Sequence, residues 1–361
     1  MTYELHCGDC LEYMATMPDN SVDLIATDGP YHRVKMNEAW DTRHKTANDF
    51  IAWLDTVLAQ FQRILKPNGS LYMFASPRMA ARVEMAIGER FNVLSQIVWA
   101  KHDGSGYGTG GHSKVCKEQL RSYFPQTERI IFAEHYGADN IAKGEAGYAA
   151  KCDELRGFVF EPLRAYIEGE RVRAGVSKED INEALGFRRM GGMAGRHYFS
   201  QSQWCLPTDE HYHKMRNCLS RLNHGGAYLQ RPYEELRTEY EELRTEYEEL
   251  RTEYEELRRP FNVSADVHYT DVWTYPTVQA YKGKHPCEKP EQMFVDILNA
   301  SSRPGAVVFD PFMGSGTTGV ACATVGERHF IGCDLDSKWV DRTRQRIEAV
   351  HAQPTLFEVA A

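Results

Sequence analysis

Several features are missing from this 361-residue sequence. No run of about 18 apolar residues occurs, so nothing in it reads as a transmembrane helix. Its opening, Met1-Thr2-Tyr3-Glu4-Leu5-His6, lacks the charged stretch and long apolar core of a secretory signal. Cysteine is sparse: nine are scattered along a chain too long to need disulfide staples, and free thiols in a reducing cytoplasm are expected. Cys7-Gly8-Asp9-Cys10 matches C-x-x-C, but neither a second ligand pair nor a thioredoxin-like context accompanies it, so no metal site is expected. Positive charge is also short. The net charge of −9 argues against a nucleic-acid partner. That total misleads, because residues 233–259 hold eleven Glu against five Arg and leave about −3 on the rest of the chain.

What is present is an alternation of short apolar strands and amphipathic helices, the pattern of a mostly parallel α/β sheet. Val22-Asp23-Leu24-Ile25-Ala26-Thr27 reads as a buried strand, and Asp28-Gly29-Pro30-Tyr31 follows where it ends. Ligands of open α/β sheets bind at the carboxyl ends of strands. An acid and a backbone carbonyl there can accept the two hydrogens of an exocyclic amine, and Tyr31 can stack on a planar base. Asp, Gly and Pro are also ordinary turn formers, so the stretch by itself is equally a strand-ending turn. Residues 32–49, with Trp40 and Asp41, lack periodicity and read as a mobile loop over the site. Phe50 to Leu65 reads as an amphipathic helix stopped by Lys66-Pro67-Asn68-Gly69.

A second strand-loop-helix lies near the other end. Ala306-Val307-Val308-Phe309 runs into Asp310-Pro311-Phe312-Met313-Gly314-Ser315-Gly316-Thr317-Thr318-Gly319, followed by a helix of small residues. Glycines at 314, 316 and 319 in that context point to a nucleotide-type ligand. Asp334, twenty residues after Gly314, ends the next strand, where an acid can hold both ribose hydroxyls. NAD and S-adenosylmethionine both fit. Asp310 favours the second, since a carboxylate would repel a pyrophosphate but suits an ammonium group. Gly106-Tyr107-Gly108-Thr109-Gly110-Gly111 also satisfies G-x-G-x-x-G, but no helix opens from it. It reads as a surface loop with Lys114, Lys117 and Arg121 near enough to meet phosphates.

The middle of the chain differs in character. Ser177-Lys178-Glu179-Asp180 is a capping box, and a glycine turn and a polar-aromatic segment after it resemble a helix-turn-helix. Residues 186–224 carry six Lys/Arg and four His against two acids. Arg188, Arg189, Arg196, His197, Gln201 and Gln203 have groups suited to a nucleic acid's phosphates and base edges. From 233 to 257, Tyr and Leu alternate at spacings of three and four, an a/d seam that needs a partner. A second copy of the chain is the expected one, which makes a homodimer, with folding back on the same chain as the other choice.

Together these motifs resemble the β class of amino-methylating DNA methyltransferases. Thr27 to Tyr31 is similar to the catalytic motif, Asp310 to Thr318 to the cofactor motif, and His285-Pro286-Cys287-Glu288-Lys289-Pro290 to the segment that precedes the latter. Gly8-Asp9-Cys10 also fits. The likeness covers roughly 1–135 and 275–350. It implies a circularly permuted, seven-stranded Rossmann-like α/β sheet with a mainly helical target-recognition insertion. The expected divisions are a catalytic half at 1–140, an insertion at 141–275, a cofactor half at 276–350 and a tail at 351–361. The implied reaction takes a methyl group from S-adenosylmethionine to the N6 amine of an adenine flipped out of double-stranded DNA and leaves S-adenosylhomocysteine. N4-cytosine methylation, an NAD-dependent oxidoreductase and a catalytically weak DNA-binding regulator are the alternatives. The implied roles are Asp28 and the Gly29 carbonyl on the amine, Pro30 holding the turn and Tyr31 stacking on the base. Asp310, Phe312, Gly314, Gly316 and Thr317 take the methionine end, and Asp334 the ribose. Asp9 and Lys289-Pro290 flank the adenosine, with Cys10, His285 and Pro311 in the same set. A cytoplasmic, bacterial or phage-encoded enzyme is expected. The family usually has a second proline where Gly29 stands, and Gly should loosen the carbonyl that receives the hydrogen.

Overall fold

The computed structural model describes residues 1–102, 121, 123, 125–135 and 147–352. It separates into two units, Met1–Asp139 with Arg259–Ala361, and Asn140–Arg258. The second unit ends at Arg258, short of the expected boundary at 275. Arg259 lies buried in the first unit with its Nε 2.7 Å from Glu134 Oε2, and the chain beyond it returns to the sheet.

The first unit is built on one mixed sheet. Its strands are β1 (Thr2–Cys7), β2 (Val22–Thr27), β3 (Leu65–Ala75), β4 (Phe91–His102), β5 (Thr127–His135), β6 (Val272–Pro276), β7 (Val307–Asp310) and β8 (His329–Asp334). Their order is β1-β8-β7-β2-β3-β5-β4-β6, with β5 antiparallel to both of its neighbours. The expected architecture is present, with eight strands among the described residues rather than seven. Val272–Pro276 adds itself in parallel along the free edge of β4. Lys66 to Gly69 does not stop the preceding helix ahead of a separate strand but lies within β3 as an irregularity. Val22 faces Leu65 while Leu24 faces Ser70, and Lys66 Nζ sits 2.7 Å from Asp23 Oδ1.

The alternation of β2 and β7 fills both faces of the sheet. Ile25 and Phe309 join the core under the helices Cys10–Thr16, Ala47–Ile64 and Ala80–Gly88. Leu24, Ala26 and Val308 join the core under the helices Glu291–Ser301, Thr317–Val325 and Ser337–His351. With both faces covered, the open places at the centre are the strand ends, and the carboxyl ends of β2, β7, β8 and β1 lie side by side. No helix among the described residues is long and apolar enough to cross a membrane.

The second unit is helical and has its own core around Trp204, Tyr212, Ile181, Leu163 and Leu219. Helix Tyr233–Leu257 belongs to it. Leu236 and Tyr247 are buried, and Tyr233, Tyr240, Leu243 and Leu250 pack against the same cluster. Phe160 touches the rings of both Tyr240 and Tyr247. The heptad seam expected to meet a second copy is therefore met by its own unit from Tyr233 to Leu250, while Leu257 at its end is exposed.

Leu236→Ala is expected to destabilise this unit by about 2–5 kcal/mol, the usual cost of emptying a fully buried leucine site. Denaturant unfolding at several protein concentrations checks it. An intrachain seam gives the same loss at every concentration, whereas a loss that changes with concentration would return the seam to a dimer.

Candidate active site

Because β2 and β7 are parallel neighbours, Asp28 and Pro311 begin two loops side by side. Asp310, at the tip of β7, binds them together from below. Its Oδ1 accepts from Thr27 Oγ1 at 2.8 Å and from the Phe312 amide at 3.1 Å, and its Oδ2 accepts from Thr318 Oγ1 at 2.6 Å. Burial pushes this carboxyl up to about 6, with the hydroxyl donors pulling the other way. Asp310 is thus a fastener inside the fold and not a wall of the cavity where it was expected to meet an ammonium group.

The glycine loop is shaped by close approach. Gly314 and Gly316 have φ of +49° and +75°, where glycine is at ease. A Cβ on Gly316 would stand 2.3 Å from Thr343 Cγ2, so the loop lies directly on helix Ser337–His351. Asp334 Oδ2 accepts from the Gly314 amide at 3.0 Å and its Oδ1 from Asp336 at 2.9 Å. Burial raises Asp334.

A cavity of about 410 Å³ opens over these loops. Of the residues expected at the site, Asp9, Cys10, Asp28, Gly29, Pro30, Tyr31, His285, Lys289, Pro311, Phe312, Gly314 and Asp334 line it. Gly316, Thr317 and Pro290 do not. Gly316 is turned to Thr343, Thr317 starts helix Thr317–Val325, and Pro290 caps helix Glu291–Ser301. His285 forms an edge-on contact with Trp339 at 4.5 Å, with Trp40 stacked 6.4 Å away. Burial, then the nearby Lys289 ammonium, lowers His285 to about 4, and its Nδ1 accepts from the Cys287 amide at 3.2 Å. The ring is neutral near pH 7.

Residues 31–41 are held by a single buried carboxylate. Asp41 Oδ1 accepts from the Tyr31 amide at 2.8 Å, and Oδ2 from Val34 at 2.7 Å and Lys35 at 2.5 Å. His32 and Arg33 take left-handed φ of 60° and 62° to make the turn. The segment expected as a loop over the site lines the cavity through Val34, Lys35, Glu38, Trp40, Asp41, Arg43 and His44.

The largest departure is Lys289. Expected beside an adenosine, its ammonium instead lies 2.5 Å from Asp28 Oδ2 and 3.2 Å from Glu128 Oε2. Tyr31 donates its hydroxyl to Glu128 Oε2 at 2.7 Å, and Lys101 pairs with the other Glu128 oxygen. Asp28 Oδ1 is buried with no hydrogen-bond partner among the described residues. Burial raises Asp28 against the pull of Lys289. Burial would raise Glu128 too, but Lys289 and Lys101 hold it at about 2. Sequence reasoning missed Glu128, Lys101 and Trp99. The one available signal was a charged pair, Glu128-Arg129, before the apolar run Ile130–Ala133 of β5.

Of the residues expected to meet nucleic acid, Arg188, Arg189, Arg196, Gln201 and Gln203 are exposed in the second unit, and His197 is half-buried there. Arg189 is already paired with Asp180 at 2.9 Å and Glu183 at 2.6 Å. Arg121 is exposed in the first unit. Lys114, Lys117 and the loop Gly106–Gly111 lie outside the described residues.

Comparison with known proteins gives consistent matches. The DNA methylase family pattern for N6 and N4 amino methyltransferases covers residues 22–345. The DNA adenine methyltransferase YhdJ of Escherichia coli strain K12 is 24% identical over 348 residues, 94% of this chain and 81% of that protein. The type II methyltransferase M2.DpnII of Streptococcus pneumoniae is 44% identical over 82 residues, 22% of this chain and 30% of that one. The solved PvuII DNA methyltransferase, a cytosine-N4-specific enzyme, shares the fold with a TM-score of 0.50 at 11% identity, over 97% of this chain and 90% of that one.

Two outcomes test the packing of the cavity. A Cβ on Gly29 would stand 2.9 Å from Phe312 Cδ2. Gly29→Ala is expected to cost about 1–3 kcal/mol by overpacking, and Phe312→Leu in the same chain to recover most of it, both read from denaturant unfolding. His285 has a depressed folded-state pKa, so its contribution to stability is present above the unfolded value near 6.5 and is lost as pH falls toward about 4. His285→Phe should remove that part of the acid sensitivity. Parallel stability-versus-pH curves for the two proteins between pH 6.5 and 4 would contradict a buried neutral ring.

Proposed function

The chain belongs to the N6/N4 DNA methylase family, and from that membership we propose that it transfers a methyl group to the N6 amine of adenine in double-stranded DNA. It is an S-adenosylmethionine-dependent enzyme. The observation that carries the adenine reading is the open, buried Asp28 Oδ1 beside Tyr31 at the end of β2. An exocyclic amine meets there an anionic acceptor and an aromatic platform, and a relative matched over 94% of this chain is named a DNA adenine methyltransferase.

The cavity suits the cofactor. Acidic groups at Asp9 and Asp334 and the rings of Phe312 and Trp339 stand where a cationic, ring-bearing molecule needs them. In this reading Asp334 holds the ribose, Asp9 and His285 the adenine end, and the backbone at Gly314 the methionine end. When bound, S-adenosylmethionine supplies a methyl group on a positively charged sulfur.

The chain's own residues do the rest. The target base leaves the duplex, because its amine is unreachable inside the stack. Tyr31 stacks on it. Asp28 Oδ1 accepts one amine hydrogen and the Gly29 carbonyl the other, which keeps the nitrogen lone pair free to attack. As the new N–C bond forms and the C–S bond breaks, the nitrogen must shed a proton, and Asp28, raised by burial, takes it at Oδ1. Arg188, Arg196, Gln201 and Gln203 of the second unit are assigned to the DNA. Arg189 contributes less because its charge is already shared with Asp180 and Glu183.

The test is methyl transfer from labelled cofactor to duplex DNA, with the modified nucleoside identified after digestion. N6-methyladenine is expected, and Asp28→Ala should lower kcat by at least about 10²-fold while DNA binding persists. N4-methylcytosine as the product would overturn the adenine assignment. A folded wild-type protein that methylates no duplex would overturn the reading as a whole.

A further inference from the structure

Lys289 and Glu128 are more than neighbours of the site. The Lys289 side chain is only 5% exposed, and the residue lines the cavity beside Asp28 and Tyr31. It lies 5.1 Å from the Tyr31 ring centroid and 5.4 Å from that of Phe74, and it spans Asp28 and Glu128. Asp28 therefore has one oxygen occupied and one open. Tyr31 is fixed at three places: its amide by Asp41, its ring by Lys289 and its hydroxyl by Glu128. Lys101, itself over the Trp99 ring at 4.9 Å, supports Glu128 from behind.

Resting on the functional reading above, we propose that Lys289 and Glu128 are positioning residues for methyl transfer. Lys289 holds Asp28 Oδ2 so that Oδ1 alone is presented to the target amine. Glu128 anchors the Tyr31 hydroxyl and draws part of the ammonium's charge away from Asp28, so that the amine can compete for that carboxylate. The arrangement balances two ammonium groups against two carboxylates in a place that water barely reaches, where an unpaired member would be strongly disfavoured.

Among the described residues, the charged and titratable groups that face Asp28 are Tyr31 on its own turn, Asp310 at the tip of β7, Glu128 on β5, and Cys287 and Lys289 from the segment before helix Glu291–Ser301. Among these only Lys289 is a cation. Removing it leaves Asp28 facing Glu128 with nothing between, and Asp28 then holds its proton to higher pH. Removing the Glu128 charge does the reverse.

The experiment is the pH dependence of kcat at saturating cofactor and duplex for wild type, Lys289→Met, Lys289→Arg and Glu128→Gln. The acid limb should move up by at least one pH unit in Lys289→Met, return most of the way in Lys289→Arg, and move down in Glu128→Gln with a several-fold lower plateau. Opposite shifts cannot come from general loss of structure. Shifts in the same direction, or none, would overturn the proposal. A second measurement needs no turnover. Lys289→Met should lower Tm, and adding Asp28→Asn should raise it again, because the uncompensated carboxylate is gone. If the double variant is no more stable than Lys289→Met, the two groups are not coupled and the proposal fails. Absence of methyl transfer by wild type would count against the functional reading alone, since the thermal cycle still decides the pairing.

Discussion

One ammonium shared between two carboxylates organises this protein. Asp28 follows β2, Glu128 is the second residue of β5, and Lys289 arrives from the far side of the helical insertion, 261 residues after Asp28. None of the three is acceptable in this setting without the others, since an unpaired buried charge is expensive. The cluster therefore requires that the two separated halves of the first unit be assembled before its charges can be buried. It also explains why a segment so far along the chain must be directed back to the tip of β2. Helix Glu291–Ser301, packed beneath the sheet through Phe294 and Ile297, provides the support.

Sheet topology makes that assembly possible. The strand carrying the catalytic turn and the strand carrying the glycine loop are parallel neighbours although nearly the whole chain separates them. Thr27 and Thr318 both donate to Asp310, so the three residues join the two loops from beneath. The helical insertion can lie between the two halves in sequence because its core is its own, down to the Tyr/Leu seam. An insertion that depended on the sheet for its core could not be so readily accommodated.

The sites with local signatures were legible in the sequence. An acid after an apolar strand, glycines at a strand-to-helix turn and an acid ending the next strand all leave marks within a few residues. They located the cavity and twelve of the residues that line it. What escaped were relations between distant residues. Glu128 is one of two adjacent charges before an apolar run, and nothing nearby says that Tyr31 and Lys289 will meet it. The heptads revealed a seam but not what fills it, because periodicity describes one face and not its partner. Lys289 was assigned to the cofactor by motif position. Its side chain instead reaches the carboxylates, whose attraction a sequence cannot display. Strand β6 was missed because five residues at an edge, alternately exposed and buried, carry little pattern.

Gly29 illustrates the difference between backbone and packing demands. Glycine in a catalytic turn suggests a need for unusual φ, and its loss of a ring suggests a softened carbonyl. Yet Gly29 is not among the residues with positive φ, so its backbone requires no special freedom. The constraint comes from across the cavity, where the Phe312 ring leaves 2.9 Å for a Cβ. Phe312 belongs to the loop expected to receive the methyl donor, and Gly29 supplies the carbonyl expected to receive the amine hydrogen. The two loops thus touch at the one point where donor and acceptor must come close. A side chain at 29 would push them apart whatever it did for the turn. The proline usual at this position stiffens the turn from within. Here Pro30 on one side and the Phe312 ring on the other confine it from outside, and the carbonyl keeps its place by contact.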